Sequence, residues 1–269
     1  MIAAELRPPR AELATREGMD AWIDTYHAVR GLTRHGVYVF LTDSAVGLLE
    51  EDNLRHLVTN LGPDVPRDRV IPFLTSKHTL AYCLSYAERA WQQTFRSLVV
   101  LGGDKHVGPA RAVEHAWQLR QAIRAREPHL SLGGWANPNG DAEQQVRFLL
   151  AKEFTAEYYL TQIVSHHAVA PVAQFVDAAA RRGLEVPGLF GVFYYRSAKA
   201  STLQTLSQFL PVPIEGLTRE FAAGATPVEI CARTIRAMRE VGARHFYVSN
   251  LPLGRAQTTL EAIVKQAAL

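Results

Sequence analysis

Short apolar runs recur along this chain with helix-length amphipathic stretches between them, and that alternation restricts its fold more than any other feature. Eight runs read as strands, at 2–6, 37–42, 70–74, 98–102, 132–135, 158–162, 189–193 and 246–249. Helical periodicity stands out over 81–91, 110–125, 143–154, 172–182, 227–241 and 258–268. Strands separated in this way must run parallel, because a parallel return needs a crossover of about a dozen residues or more, usually a helix. Most strand starts recur roughly every 30 residues, the spacing of a closed (β/α)8 barrel, for which about 250 residues is ordinary. The chain has 269 residues. The expected class is therefore α/β, with 1–269 forming one barrel domain. An open doubly wound sheet is the competitor, but no GxGxxG follows the first strand to support it.

Between the seventh and eighth runs the pattern lengthens. A helix is expected over 197–209, a short second one over 217–223, and a third opening at Thr226-Pro227. Thr226 as N-cap, Pro227 at the first helical position and Glu229 at the third form a helix start. This reads as an elaboration of the barrel.

Composition removes several function classes. Hydrophobic residues make up 48% and charged residues 20%, which excludes global disorder. A net charge of +3, dispersed along the chain, gives no basic footprint for nucleic acid or an anionic membrane. The two cysteines, Cys83 and Cys231, have neither zinc nor disulfide-framework spacing and read as buried packing residues. No apolar run approaches the ~18–20 residues of a bilayer span. Glu5 brings a charge too early for a signal-peptide core. A cytoplasmic protein is expected, alone, as a homo-oligomer or with a partner subunit.

A barrel of this kind carries its site at the carboxyl ends of the strands. The residues there are Glu5; Thr42 and Asp43; Thr75; Gly102, Gly103 and Asp104; Trp135 and Asn137; Gln162; Tyr194 and Tyr195; and Asn250. Glu5 has two readings, a desolvated general acid or an ion-pair partner of Arg7 or Arg10. Gly102-Gly103-Asp104 could admit a planar ligand to the backbone while Asp104 accepts from ring N–H groups, or could be a tight turn capping the next helix. Gln162 could read a heterocycle edge or be satisfied by backbone. Tyr194 and Tyr195 could stack on a ligand or pack. His106, His166 and His167 have no carboxylate or cysteine at ligand spacing, so no metal is assigned.

Taken in order, these segments resemble the methylenetetrahydrofolate reductase family. Glu5-Leu6-Arg7-Pro8-Pro9-Arg10 is similar to that family's opening Glu-Phe-Phe-Pro-Pro-Arg/Lys. Leu101-Gly102-Gly103-Asp104 resembles its Leu-Arg-Gly-Asp turn, and Tyr159-Leu160-Thr161-Gln162 its Ile-Thr-Gln strand. Val186-Pro187-Gly188-Leu189 is similar to its Ile-Pro-Gly-Ile, and His245-Phe246-Tyr247-Val248-Ser249-Asn250 to its His-Phe-Tyr-Thr-Leu-Asn.

The resemblance implies a flavin-dependent barrel in which Glu5 is the general acid that opens the ring of 5,10-methylenetetrahydrofolate. FAD would deliver hydride and NAD(P)H would recharge it. Asp104 would tune the flavin or hold the pterin, Gln162 would bind the folate, and Tyr195 would lie near its aromatic portion. Thr42, Gly102, Gly103 and Trp135 would contact the flavin. Arg147 and Lys152 are the nearest matches to the family's ribose and diphosphate residues. The chain departs from the family where Gly102 replaces an arginine, Phe73 a histidine after the strand-three proline, and Leu251 an arginine after strand eight. Two alternatives follow: a flavin-independent folate or pterin one-carbon enzyme, or a non-catalytic ligand-binding barrel subunit.

Overall fold

Eight strands pair side by side in chain order, each parallel to the next, and the first closes on the last. They are β1 (Ile2–Leu6), β2 (Tyr38–Leu41), β3 (Val70–Thr75), β4 (Ser97–Leu101), β5 (Ser131–Ala136), β6 (Tyr158–Val164), β7 (Gly188–Phe193) and β8 (His245–Ser249). The computed structural model describes residues 1–9, 15–42, 53–104 and 108–269. Arg10, Asp43, Lys105 and His106 lie outside the described residues. Around the barrel run α1 (Thr15–Arg34), α2 (Asn53–Asn60), α3 (Leu80–Gln92), α4 (Ala116–Arg126), α5 (Ala142–Leu150) and α6 (Val169–Arg181). After β7 come α7 (Ala200–Ser207), α8 (Ile214–Ala222) and α9 (Pro227–Glu240), and α10 (Ala256–Ala267) follows β8. The expected (β/α)8 barrel with helical elaboration between the last two strands is therefore present. No described helix is long and apolar enough to cross a membrane.

The pleat sorts the side chains into two cores. Ala4 and Leu6, with Val39 and Leu41, face the layer between strands and helices, while Ala3 and Phe40 face the barrel interior. Successive strand residues alternate sides, so Glu5 shares the inward face of Ala3. The interior is filled by Phe40, Ile71, Phe73, Val99, Leu160, Leu189 and Tyr247. Small residues make room for the largest of these. A Cβ on Gly191 would lie 2.5 Å from the Tyr247 hydroxyl, and one on Gly133 2.6 Å from the Tyr158 ring. Tyr247 then spans the barrel and donates to the Thr161 carbonyl at 2.5 Å.

Three expected helices are shortened: the one expected over 197–209 spans Ala200–Ser207, and two others have ends drawn toward the barrel mouth. The helix expected over 110–125 begins only at Ala116. Before it the chain is tied to the loop after β3, Ala112 N–H donating to the Ser76 carbonyl at 2.6 Å and Lys77 Nζ to the Pro109 carbonyl at 2.7 Å. The helix expected over 143–154 stops at Leu150, followed by extended Ala151 and a short 3-10 turn at Lys152–Phe154. Phe154 is buried there, and its carbonyl accepts from Arg120 Nε at 2.8 Å. In the elaboration, Thr226 and Glu229 form the expected reciprocal cap of α9, with Pro227 at its start.

Candidate functional site

The carboxyl ends of the strands open into a cavity of about 1260 Å³. Register determines what meets there. Glu5 is level with Phe40 of β2 and Ser249 of β8, which puts the two polar side chains on adjacent strands at one height. Ser249 Oγ donates to Glu5 Oε1 at 3.1 Å. The carboxyl reaches the cavity but is otherwise deeply enclosed. Burial, only partly offset by the Ser249 bond, pushes its pKa from the ordinary 4.5 up to about 7. A carboxyl with that pKa exchanges protons near neutrality, as a general acid requires. Of the two readings of Glu5, the ion pair is not formed with Arg7, and Arg10 lies outside the described residues.

Thr42, Gly102, Gly103, Asp104, Trp135 and Gln162 line the same cavity, as the sequence led us to expect. Glu5 and Asp104 thus share one chamber from strands β1 and β4. Gln162 is placed by an irregularity between β6 and β7, whose register shifts between Leu160 and Ile163. There Thr161 Oγ1 accepts from Gly191 N–H at 3.1 Å, and the Gln162 amide oxygen accepts from Ile163 N–H at 2.9 Å. A bulge of this kind re-aims a side chain. The Gln162 amide nitrogen is left to donate into the cavity. Aromatic rings form much of the remaining wall. Trp135, Phe148 and Phe209 all line the cavity yet are 38%, 53% and 63% exposed, an apolar rim suited to a planar ligand.

Three expected site residues are not on the wall. Arg147 and Lys152 are exposed, and where the α5 segment meets the cavity it presents Phe148, Ala151, Glu153 and Phe154 instead. The cause is the early end of α5, which turns Lys152 outward. The Arg147 guanidinium lies 5.8 Å from the Phe148 ring centre. Tyr195 is buried in the cluster of Leu203, Leu217 and Ile230 under the elaboration, its ring 4.8 Å from Phe193. It packs rather than faces the chamber.

Sequence reasoning missed Arg111 and Arg120, which do line the cavity. Arg111 comes from the segment that delays α4, and its guanidinium stands where a side chain at 102 would go. A Cβ on Gly102 would lie 2.8 Å from its central carbon. The position that lacks a cation in sequence therefore has one in space. Arg111 was undetectable as a partner because the expected helix over 110–125 would have placed it on a helix face. Outside the cavity, His166 and His167 each turn Nε2 to Glu220 of α8, at 3.1 and 3.0 Å. These groups together have metal-ligand character, but Arg233 also pairs with Glu220 at 2.6 Å and satisfies its charge.

Fold and site define a (β/α)8 barrel with an aromatic-rimmed chamber at the strand ends, lined by both carboxylates and arginines. No protein-family model matches the chain, and no curated protein is detectably similar to it. Solved structures do match. An uncharacterized protein from Clostridium thermocellum, described as binding two copies of 5-methyl-5,6,7,8-tetrahydrofolic acid, superposes with a TM-score of 0.66 at 16% identity. That match covers 99% of this chain and 93% of the other. A protein from Aquifex aeolicus VF5 superposes with a TM-score of 0.52 at 12% identity, over 99% and 90% of the two chains. At these identities the likeness establishes the fold.

Proposed function

We propose that the chain binds a tetrahydrofolate at the strand ends and acts on its one-carbon unit, with Glu5 as the proton donor. The observation that carries this reading is the Glu5 carboxyl, poised near neutrality in the chamber that also holds Asp104 and Gln162. A pterin ring offers a donor–acceptor edge that an acceptor carboxylate and a donating amide can read together. The folate-binding neighbour and the family resemblance point to the same ligand class.

In its full form the reading is a reductase. FAD would supply the hydride chemistry there, with NAD(P)H as its electron donor. On this chain's side Thr42, Gly102, Gly103 and Trp135 would border the flavin, Gln162 would hold the folate, and Glu5 would deliver the proton. Arg147 and Lys152 are turned away from the chamber and do not fit the role of neutralising a diphosphate. That observation favours a second reading, the same folate pocket working without flavin.

An absorption spectrum and a folate titration separate the readings. Stoichiometric flavin with NAD(P)H–menadione turnover supports the reductase. A colourless protein that binds 5-methyltetrahydrofolate but takes up no FAD supports the second reading. Glu5→Gln should leave folate affinity within a few-fold and lower turnover by about 100-fold or more. Absence of tetrahydrofolate binding by calorimetry would overturn both readings.

A further inference from the structure

Most buried or half-buried cations in folded proteins face a carboxylate, because an uncompensated charge in a low-dielectric wall is costly. Two guanidiniums on this cavity wall do not. Arg120 is only 4% exposed, and it spends Nε on the Phe154 carbonyl at 2.8 Å and Nη1 on the Val100 carbonyl at 3.1 Å. Burial lowers its pKa to about 10, so it stays charged at neutral pH. The carboxylate whose field reaches it, Glu157, is occupied by Arg124 and by the Leu132 N–H. Arg111 donates Nη2 to the Gly103 carbonyl and Nη1 to the Glu114 carbonyl at 3.5 Å. Its buried Nε has no partner. Among the described residues neither arginine forms an ion pair with a carboxylate. Both line the chamber beside Gly102 and Gly103, and the first turn of α4, through Ala116 and Trp117, lines it too. The positive end of that helix adds to their field.

From this convergence we infer that the β4–α4 corner of the cavity is an anion subsite, in which Arg111 and Arg120 seat the carboxylate or phosphate end of the bound molecule. The subsite deepens the folate reading and rests on it for the identity of the ligand, though its charge logic is independent. Glycine at 102 is part of the device, since any side chain there would displace the Arg111 guanidinium. The anion has two chemical sources: the glutamate carboxylates of a folate, or the diphosphate of a dinucleotide.

Paired ligands test it by calorimetry on the full chain. One pair is 5-methyltetrahydrofolate against the corresponding tetrahydropteridine lacking the glutamate, and the other is FAD against riboflavin. The wild type should prefer the anionic member of at least one pair by about 10- to 100-fold, the range of a charged hydrogen bond. Arg111→Ala should cut that preference at least several-fold, and Arg111→Lys should restore part of it. Thermal melts verify that the variants are folded. Arg120 is left intact because its backbone bonds hold the fold. A preference confined to the folate pair assigns carboxylate; one confined to FAD assigns diphosphate and sustains the subsite, and the folate reading is then decided by whether 5-methyltetrahydrofolate itself binds. Tetrahydrofolate binding with no anionic preference, or a preference unchanged in folded Arg111→Ala, overturns the subsite and leaves the folate reading standing. Failure of all four ligands to bind overturns both.

Discussion

Glu5 shows how far one residue can be read from sequence. A carboxylate inside an apolar strand left two readings open, and the structure selects the inward one, because the pleat alternates and its neighbours Ala4 and Leu6 pack outward. A raised pKa was one of its two readings, but the extent was not legible, since it depends on burial by the surrounding strands and on the opposing bond from Ser249, 244 positions away. The pKa of about 7 has a consequence for stability. The folded chain holds this proton more tightly than the unfolded one, whose carboxyl titrates near 4.5. The group's contribution is complete below pH 4.5 and is lost as pH rises through about 7. Glu5→Gln should remove that slope, leaving the variant more stable relative to wild type at pH 8 than at pH 5; melting curves at the two pH values measure it. The Ser249 bond favours the charged form, so Ser249→Ala should move the Glu5 titration upward, followed by carboxyl-labelled NMR. An unchanged or lower titration midpoint would contradict the assigned pair.

At the scale of elements, the strands were legible because their apolar runs are short and regularly spaced. Helix ends were less so, because α4 begins late and α5 stops early where side chains are needed elsewhere: Arg111 at the cavity and Phe154 beneath Arg120. Those same distortions decide which cations face the ligand, and this explains why Arg147 and Lys152 were expected on the wall and are not. The cap of α9 was readable because it is local, Thr226 and Glu229 being three residues apart. The latch between α8 and the loop after β6 was not, because Glu220 lies more than fifty positions from the histidines it joins. Removing it tests whether the elaboration is held at this point. Glu220→Ala leaves His166, His167 and Arg233 without their shared acceptor, at a cost of about 1–3 kcal/mol. Hydrogen exchange over 214–222 should speed up at least tenfold while β1 and β8 keep their protection. Equal exchange in variant and wild type would show that apolar packing around Leu217 holds α8 unaided.

The whole molecule couples its core to its site through the barrel interior. Tyr247 is buried in that core, lines the chamber, and donates across the barrel to Thr161, whose own hydroxyl accepts from Gly191 N–H. Thr161 precedes Gln162, so the hydrogen bonds that fill the barrel also set the bulge that aims the candidate folate residue. Gly191 makes this possible by having no side chain where the Tyr247 hydroxyl lies. Gly191→Ala forces the ring to move, and overpacking of this kind costs about 1–3 kcal/mol. Stability and ligand affinity should therefore fall together, because the displaced ring releases Thr161 and with it Gln162. Tyr247→Phe alone separates the two contributions: it keeps the ring in the barrel but lacks the bond to Thr161. That single variant should keep most of the melting temperature and lose much of the tetrahydrofolate affinity. Retention of both would mean that ring volume alone links core and chamber, and the hydrogen-bonded path through Thr161 would then have no part in placing Gln162.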